Sequence, residues 1–269
     1  MKPEKSTRFM PLVMAVLFIA CSTVPLTGRQ QLNIIPDSQL LAMSYQEYGT
    51  FVNSATISKD GPKTLMVRRV ASKIQKAVED FAAQKGLSDH LNGYAWEVNL
   101  VESDDANAWA MPGGKIVVYT GILPITKTET GLAVVMGHEV AHAVAEHGGE
   151  RMSQALIAQM GGMALDKALE KEPEQTRALW LTAFGIGAQV GVLLPFSRTQ
   201  ESEADHMGLV FMAMAGYDPN EAVSFWQRMA AKGGAAPPEW LSTHPSGETR
   251  INDIKAHLPE ALQYYKKPG

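Results

Sequence analysis

The stretch that most constrains this chain is His138-Glu139-Val140-Ala141-His142, set within the apolar segment 131–147. Leu132, Val134, Val135, Val140, Ala141 and Val144 surround the two histidines, so the pattern predicts a buried helix. On such a helix, imidazoles four residues apart lie ~40° apart around the axis and ~6 Å apart along it. They share a face and can reach one Zn²⁺ ion. Glu139 follows the first of them and is placed to take a proton from water activated at a metal. Gly148-Gly149 is expected to end the helix. The bland alternative is a hydrogen-bonded pair of core histidines beside a solvated glutamate. Buried imidazoles and carboxylates need partners in either case.

A catalytic zinc keeps three protein ligands and one open position. His147 is the nearest candidate, but five residues beyond His142 is ~140° further around the helix, so it is not expected to face the same metal. The longer H-E-x-x-H-x-x-G-x-x-H pattern also fails, because Ala145 and Gly148 occupy its remaining positions. Glu146 shares a face with His142 one turn further on and reads as a carboxylate at the cleft margin. The better candidate lies downstream, in 197–205. Pro195 breaks the preceding segment, and a new helix is expected to run to Gly216. Glu201 and Asp205 are one turn apart and share a face. Glu203 is rotated ~200° from Glu201 and points elsewhere. In this reading Glu201 binds the metal, and Asp205 accepts a hydrogen bond from a liganding histidine. A solvated acidic helix face is the alternative.

H-E-x-x-H followed by E-x-x-A-D resembles zinc metallopeptidase family forty-eight, the HtpX-like and prenyl-protease-like gluzincins. Thr27-Gly28-Arg29 resembles a short N-terminal motif of the periplasmic lipoprotein branch. Asn107–Val118 resembles the strand pair before the active helix, and Ser242-Thr243-His244-Pro245 with Arg250 resembles the closing motif. The resemblance implies an α+β fold: a mainly helical zincin-like domain with a small β-sheet beside the active helix. It implies one Zn²⁺ per chain held by His138, His142 and Glu201, with Glu139 as base. Pro245 restricts the backbone of His244 toward extended conformations, which presents its side chain. Two roles are open to His244: donating to a tetrahedral oxyanion, or filling the fourth zinc position. A surface histidine bonded to its own loop is the bland reading. Arg250 would brace this region or assist the oxyanion.

The chain has 269 residues, 45% hydrophobic and 19% charged, with a formal charge of −4. That is enough for one ordinary domain with a full core, and no basic stripe invites nucleic acid. Met1–Arg8 is basic, and Phe9–Ala20 is an apolar run too short to span a bilayer. Residues 1–20 therefore read as a secretory signal peptide. Phe18-Ile19-Ala20-Cys21 resembles a lipoprotein cleavage box. This implies lipid on Cys21, the single cysteine, and attachment to the periplasmic side of an envelope membrane, the outer one being favoured by Ser22. An ordinary signal peptide cut nearby is the alternative. A lipid-bearing segment at 21–35 would then lead into one metallopeptidase domain, 36–269.

Between these motifs, helices are expected at 37–53 and from Pro62 to Gly86, with Leu65, Val70, Ile74, Val78 and Phe81 on the core face. Strands are expected at 94–101, 106–111 and 115–120, and their sheet edge could pair with an extended peptide. Further helices are expected from Pro219 to Gly233-Gly234 and from Ser246 to Leu258, before Pro259. The uncharged stretch 178–194 reads as a buried or cleft-covering helix, with membrane insertion as the alternative. Taken together, these features point to a zinc endopeptidase acting on unfolded or misassembled envelope proteins. Rival readings are a metal-binding, chaperone-like module that holds chains without cutting them, and a structural lipoprotein whose motif is accidental.

Overall fold

The computed structural model describes residues 21–188, 194–232, 240, 244 and 247–266. The segment read as a signal peptide and most of the Ser242–Pro245 motif lie outside them. The chain divides into two compact units. One comprises the chain up to Asp37 with 148–195; the other comprises 38–147 with 196–269.

In the first unit, β1 (Cys21–Thr23) and β2 (Gln30–Leu32) pair antiparallel, with Cys21 opposite Leu32. The connecting turn brings Arg29 to Glu150, which accepts from both guanidinium ends at 2.7 and 2.8 Å. This bidentate pairing suits a carboxylate that is only 1% exposed at its side chain. Two helices complete the unit, α5 (His147–Ala168), which belongs to it from Gly148 on, and α6 (Glu174–Ala188), and α6 meets α5 where Phe184 lies over Gly161. Of the reading of 178–194 as a buried or cleft-covering helix, the buried form fails for the described part. Leu179 and Trp180 are 69% and 56% exposed, and Met160 and Met163 on α5 are similarly open. The contact at Gly161 covers one edge of α6 and leaves these side chains outside it. No helix among the described residues is long and apolar enough to cross a membrane.

The second unit holds a three-stranded sheet in the order β3 (Glu97–Val101), β5 (Lys115–Tyr119), β4 (Ala108–Met111). β3 runs parallel to β5, and β4 runs antiparallel to it. The central strand places β-branched Ile116, Val117 and Val118 inside, where both faces of the sheet are covered. Gly113 and Gly114 turn β4 into β5 with φ of +85° and +77°. A Cβ on either would run into the rings of Tyr45 or Trp96.

Around the sheet lie α1 (Asp37–Ser54) and α2 (Gly61–Lys85). The second starts on an Asp60 cap that accepts from the Lys63 N–H, and it ends on left-handed Gly86. Val70, Ile74, Val78 and Phe81 are buried as the spacing requires. Leu65 is 61% exposed, because five residues before Val70 is ~140° around the helix, off the buried face. After a short α3 (Leu123–Thr126), α4 (Glu129–Val144) carries the histidine pair and is buried continuously from Gly131 to Val144. It stops at Val144, not at Gly148-Gly149. Glu146 takes a left-handed conformation (φ 57°). Tyr94 Oη donates to the Ala143 carbonyl, and His90 Nε2 lies 2.5 Å from that of Val144. These contacts satisfy end carbonyls that a longer helix would have used itself.

The remaining helices are α7 (Leu194–Met214), α8 (Glu221–Lys232) and α9 (Glu248–Tyr264). Pro195 sits in the first turn of α7, where its missing N–H costs nothing. Pro219 precedes α8, and Asp218 accepts from the Asn220 N–H to close that turn. α9 runs through Pro259 instead of stopping before it.

α4 and α7 approach to backbone contact. A Cβ on Gly137 would lie 2.8 Å from the Gly208 carbonyl oxygen, and one on Gly208 would lie 2.9 Å from the His138 nitrogen. A methyl group at 208 must push the helices apart. Overpacking of this kind typically costs ~1–3 kcal/mol. Gly208→Ala is therefore expected to lower the thermal unfolding midpoint by several degrees. Gly148→Ala, whose added Cβ meets nothing within 4 Å, should leave it unchanged or raise it slightly. Equal midpoints for the two variants would remove the contact from the account.

Candidate metal centre

α4 sets His138 and His142 one turn apart with their rings nearly perpendicular, and their Nε2 atoms are 3.1 Å from each other. α7 brings in Glu201. Its Oε1 is 3.2 Å from His142 Nε2, and its Oε2 is 3.4 Å from His138 Nε2. His244 closes the group, with Nδ1 3.1 Å from His138 Nε2 and 2.8 Å from Glu201 Oε2. All four residues are buried, and their ligand atoms lie within 4.8 Å of one another.

This donor set fits a zinc ion. Ligand atoms ~2.0–2.1 Å from a tetrahedral Zn²⁺ stand about 3.4 Å apart, close to the spacings here. Glu201 Oε1 is buried without a hydrogen-bond partner, a costly state for a carboxylate oxygen. Two imidazole nitrogens with facing lone pairs repel unless a proton or a cation lies between them.

The surrounding contacts hold these donors in place. His138 Nδ1 lies 2.9 Å from Asp205 Oδ1. Arg250 on α9 donates to both Asp205 oxygens, at 2.7 and 2.8 Å, and its Nη1 is 3.1 Å from Glu201 Oε2. The guanidinium carbon sits 3.5 Å from the centre of the Trp226 ring, a cation–π contact. Arg250 thus contacts Asp205 and Glu201 directly, the geometry that a bracing role requires.

Burial dominates the protonation of His142 and drives its pKa well below the usual imidazole value. For His138 burial acts the same way, but hydrogen bonds to Asp205 and Glu201 outweigh it and raise the pKa to about 9. Glu201 and Asp205 stay below the ordinary carboxylate range against the effect of burial. Three imidazoles hold the first down, and Arg250 with His138 hold the second.

Glu139 is 4% exposed and stands outside the donor group. Its Oε1 accepts from Trp240 Nε1 at 2.6 Å and lies 3.4 Å from His244 Nε2. Trp240 stacks on Trp226, and its carbonyl accepts from the His244 N–H. Sequence reasoning missed Trp240, since a tryptophan after a proline pair carries no pattern that aims it at a particular carboxylate. It also missed the contact of His147 with His142 Nδ1, at 2.8 Å, and of Glu203 with His147 Nε2, at 3.3 Å. The available signal was burial: a histidine and a glutamate flanking apolar helices need partners.

A second cluster, His206, His257 and Glu260, is more open. Its rings stack nearly parallel, and His206 Nε2 pairs with Glu260 at 2.8 Å. Its ligand atoms lie within 4.8 Å of one another, but His206 is already paired with Glu260 and stacked on His257, and the group is read as a satisfied, half-buried pair with a stacked neighbour.

A mainly helical domain with a small sheet, two histidines of an H-E-x-x-H helix and a glutamate from a second helix define a zincin-like metallopeptidase fold. The sequence model of Peptidase family M48 matches residues 68–258, and the chain belongs to that family. It is 35% identical to mitochondrial metalloendopeptidase OMA1 of Schizosaccharomyces pombe, over 88% of this chain and 66% of the relative. It is 30% identical to the human mitochondrial metalloendopeptidase OMA1, over 94% of this chain and 48% of the relative. It is 29% identical to the beta-barrel assembly-enhancing protease of Escherichia coli, over 58% of this chain and 33% of the relative. The chain thus spans between a third and two thirds of the length of these relatives.

Proposed function

We propose that this chain is a zinc endopeptidase, with His138, His142 and Glu201 as the permanent ligands and Glu139 as the general base. The position of Glu139 carries the reading. It is a buried carboxylate beside the donor group that is not itself a donor, and a metal-holding module has no use for it. When bound, zinc would supply positive charge that polarises a scissile carbonyl and lowers the pKa of water. Glu139 takes the proton of the attacking water and passes it to the leaving nitrogen. Asp205 and Arg250 keep His138 and Glu201 in place through these steps. β4, an edge strand in the order β3-β5-β4, offers backbone groups for an extended substrate.

His244 acts as a fourth donor that holds the resting site closed. Its Nδ1 lies among the donors, and its N–H donates to the carbonyl of Trp240, whose indole occupies Glu139. Withdrawal of Trp240 and His244 frees the base and the fourth position together.

The setting we favour is a bacterial envelope, with the protein tethered by lipid on Cys21 and acting on unfolded or misassembled proteins. The basic and apolar N-terminus, the Cys21 box and the similarity to a protease named for assembly of β-barrels support it. The relatives named as mitochondrial carry the same enzyme class without that setting. A holder that does not cut is the rival reading, and the exposed apolar side chains of α5 and α6 favour it.

Proteolysis of an unfolded protein by the purified zinc-loaded chain separates the two. Glu139→Gln is expected to keep its zinc and lose turnover by ~10²–10⁴-fold, the usual weight of a general base, whereas Glu201→Gln should lose zinc. Near-normal turnover by Glu139→Gln would refute the mechanism. His244→Ala should raise turnover if the residue holds the site closed; a fall would assign it to the oxyanion instead. In cells, Cys21→Ser should shift the protein to the soluble fraction after a high-salt wash. Retention on membranes would direct attention to the open face of α6.

A further inference from the structure

His142 presents Nε2 to the donor group, and its Nδ1 faces the other way, 2.8 Å from His147 Nδ1. His147 Nε2 lies 3.3 Å from Glu203 Oε2. His147 is fully buried and Glu203 is 6% exposed. A neutral imidazole has one N–H and one lone pair. If His142 gives the Nε2 lone pair to zinc, its proton must sit on Nδ1 and donate. His147 Nδ1 must then accept, so the His147 proton sits on Nε2 and points to Glu203. Each tautomer along the line follows from the first.

We propose that His147 and Glu203 are positioning residues of the zinc site, forming a hydrogen-bond relay that fixes the tautomer and ring orientation of His142. The carboxylate at the far end of the relay makes the ligating nitrogen more basic, as Asp205 does directly for His138. The left-handed Glu146 makes the relay possible. A continuous helix would carry His147 ~140° away from His142, whereas the break after Val144 redirects the backbone and brings the ring back. A merely structural tie between the start of α5 and α7 would need contact alone. A relay needs an acceptor toward His142 and a donor toward Glu203.

Zinc affinity of the full chain, measured by competition with a chromophoric chelator, and the visible spectrum of the Co²⁺-substituted protein distinguish these roles. His147→Leu keeps the bulk and removes both polar functions. It is expected to weaken zinc binding by ~10–100-fold, the usual weight of a partner behind a metal-liganding histidine, and to alter the cobalt spectrum. His147→Gln carries an acceptor and a donor on one side chain and should restore affinity and spectrum close to the wild type. Wild-type affinity in His147→Leu, or a His147→Gln protein as weak as the leucine variant, overturns the proposal. Imidazole ¹⁵N resonances of the wild-type zinc protein provide a measurement that depends on no variant folding. His142 should be protonated at Nδ1 and His147 at Nε2, and a proton on His147 Nδ1 would refute the relay.

Discussion

The crossing of α4 and α7 at Gly137 and Gly208 sets the scale of the centre. His138 adjoins one glycine, and Asp205 and Glu201 lie one and two turns before the other. Carboxylate side chains are short, so they reach the imidazoles only if the helix backbones nearly touch. Glycine is the residue that permits this, at a helix-propensity cost of roughly 1 kcal/mol per position relative to alanine. The spacing of the donors is thus determined by backbone packing, and the side chains inherit it.

That packing places several ionisable groups where little water reaches. Unpaired, each would cost several kcal/mol to bury. Arg250 compensates two carboxylates at once, Asp205 and Glu201, and its own charge rests on the face of Trp226. Trp226 in turn stacks on Trp240, whose indole N–H holds Glu139. The aromatic pair therefore connects the group that braces the ligands to the group read as the base.

Much of this arrangement is legible in the residue order, because a helix repeats every 3.6 residues. That period alone puts His138 beside His142 and Glu201 beside Asp205. It also turns Glu203 away from Glu201, but it would put His147 ~140° from His142, and there it stops being a guide, because the helix ends at Val144. The stop depends on Tyr94 and His90 reaching the last carbonyls from distant segments, and no local pattern announces it. Pro259 misleads for the converse reason: α9 gains enough from packing Ile254 and Ala261 to continue through one missing hydrogen bond. Apolar composition misleads at Leu179 and Trp180, since a run without charges does not say whether a neighbour exists to cover it.

The unit that holds the centre is assembled from two separated lengths of chain, 38–147 and 196–269, and the stretch between them belongs to the other unit. His138 and His142 come from the first length; Glu201, Asp205, His244 and Arg250 come from the second. A metal ion shared between them is then a cross-link across a long excursion of the backbone, and it removes loop-closure entropy from the unfolded chain much as a disulfide would. Topologically the excursion is an insertion into the unit that holds the donors.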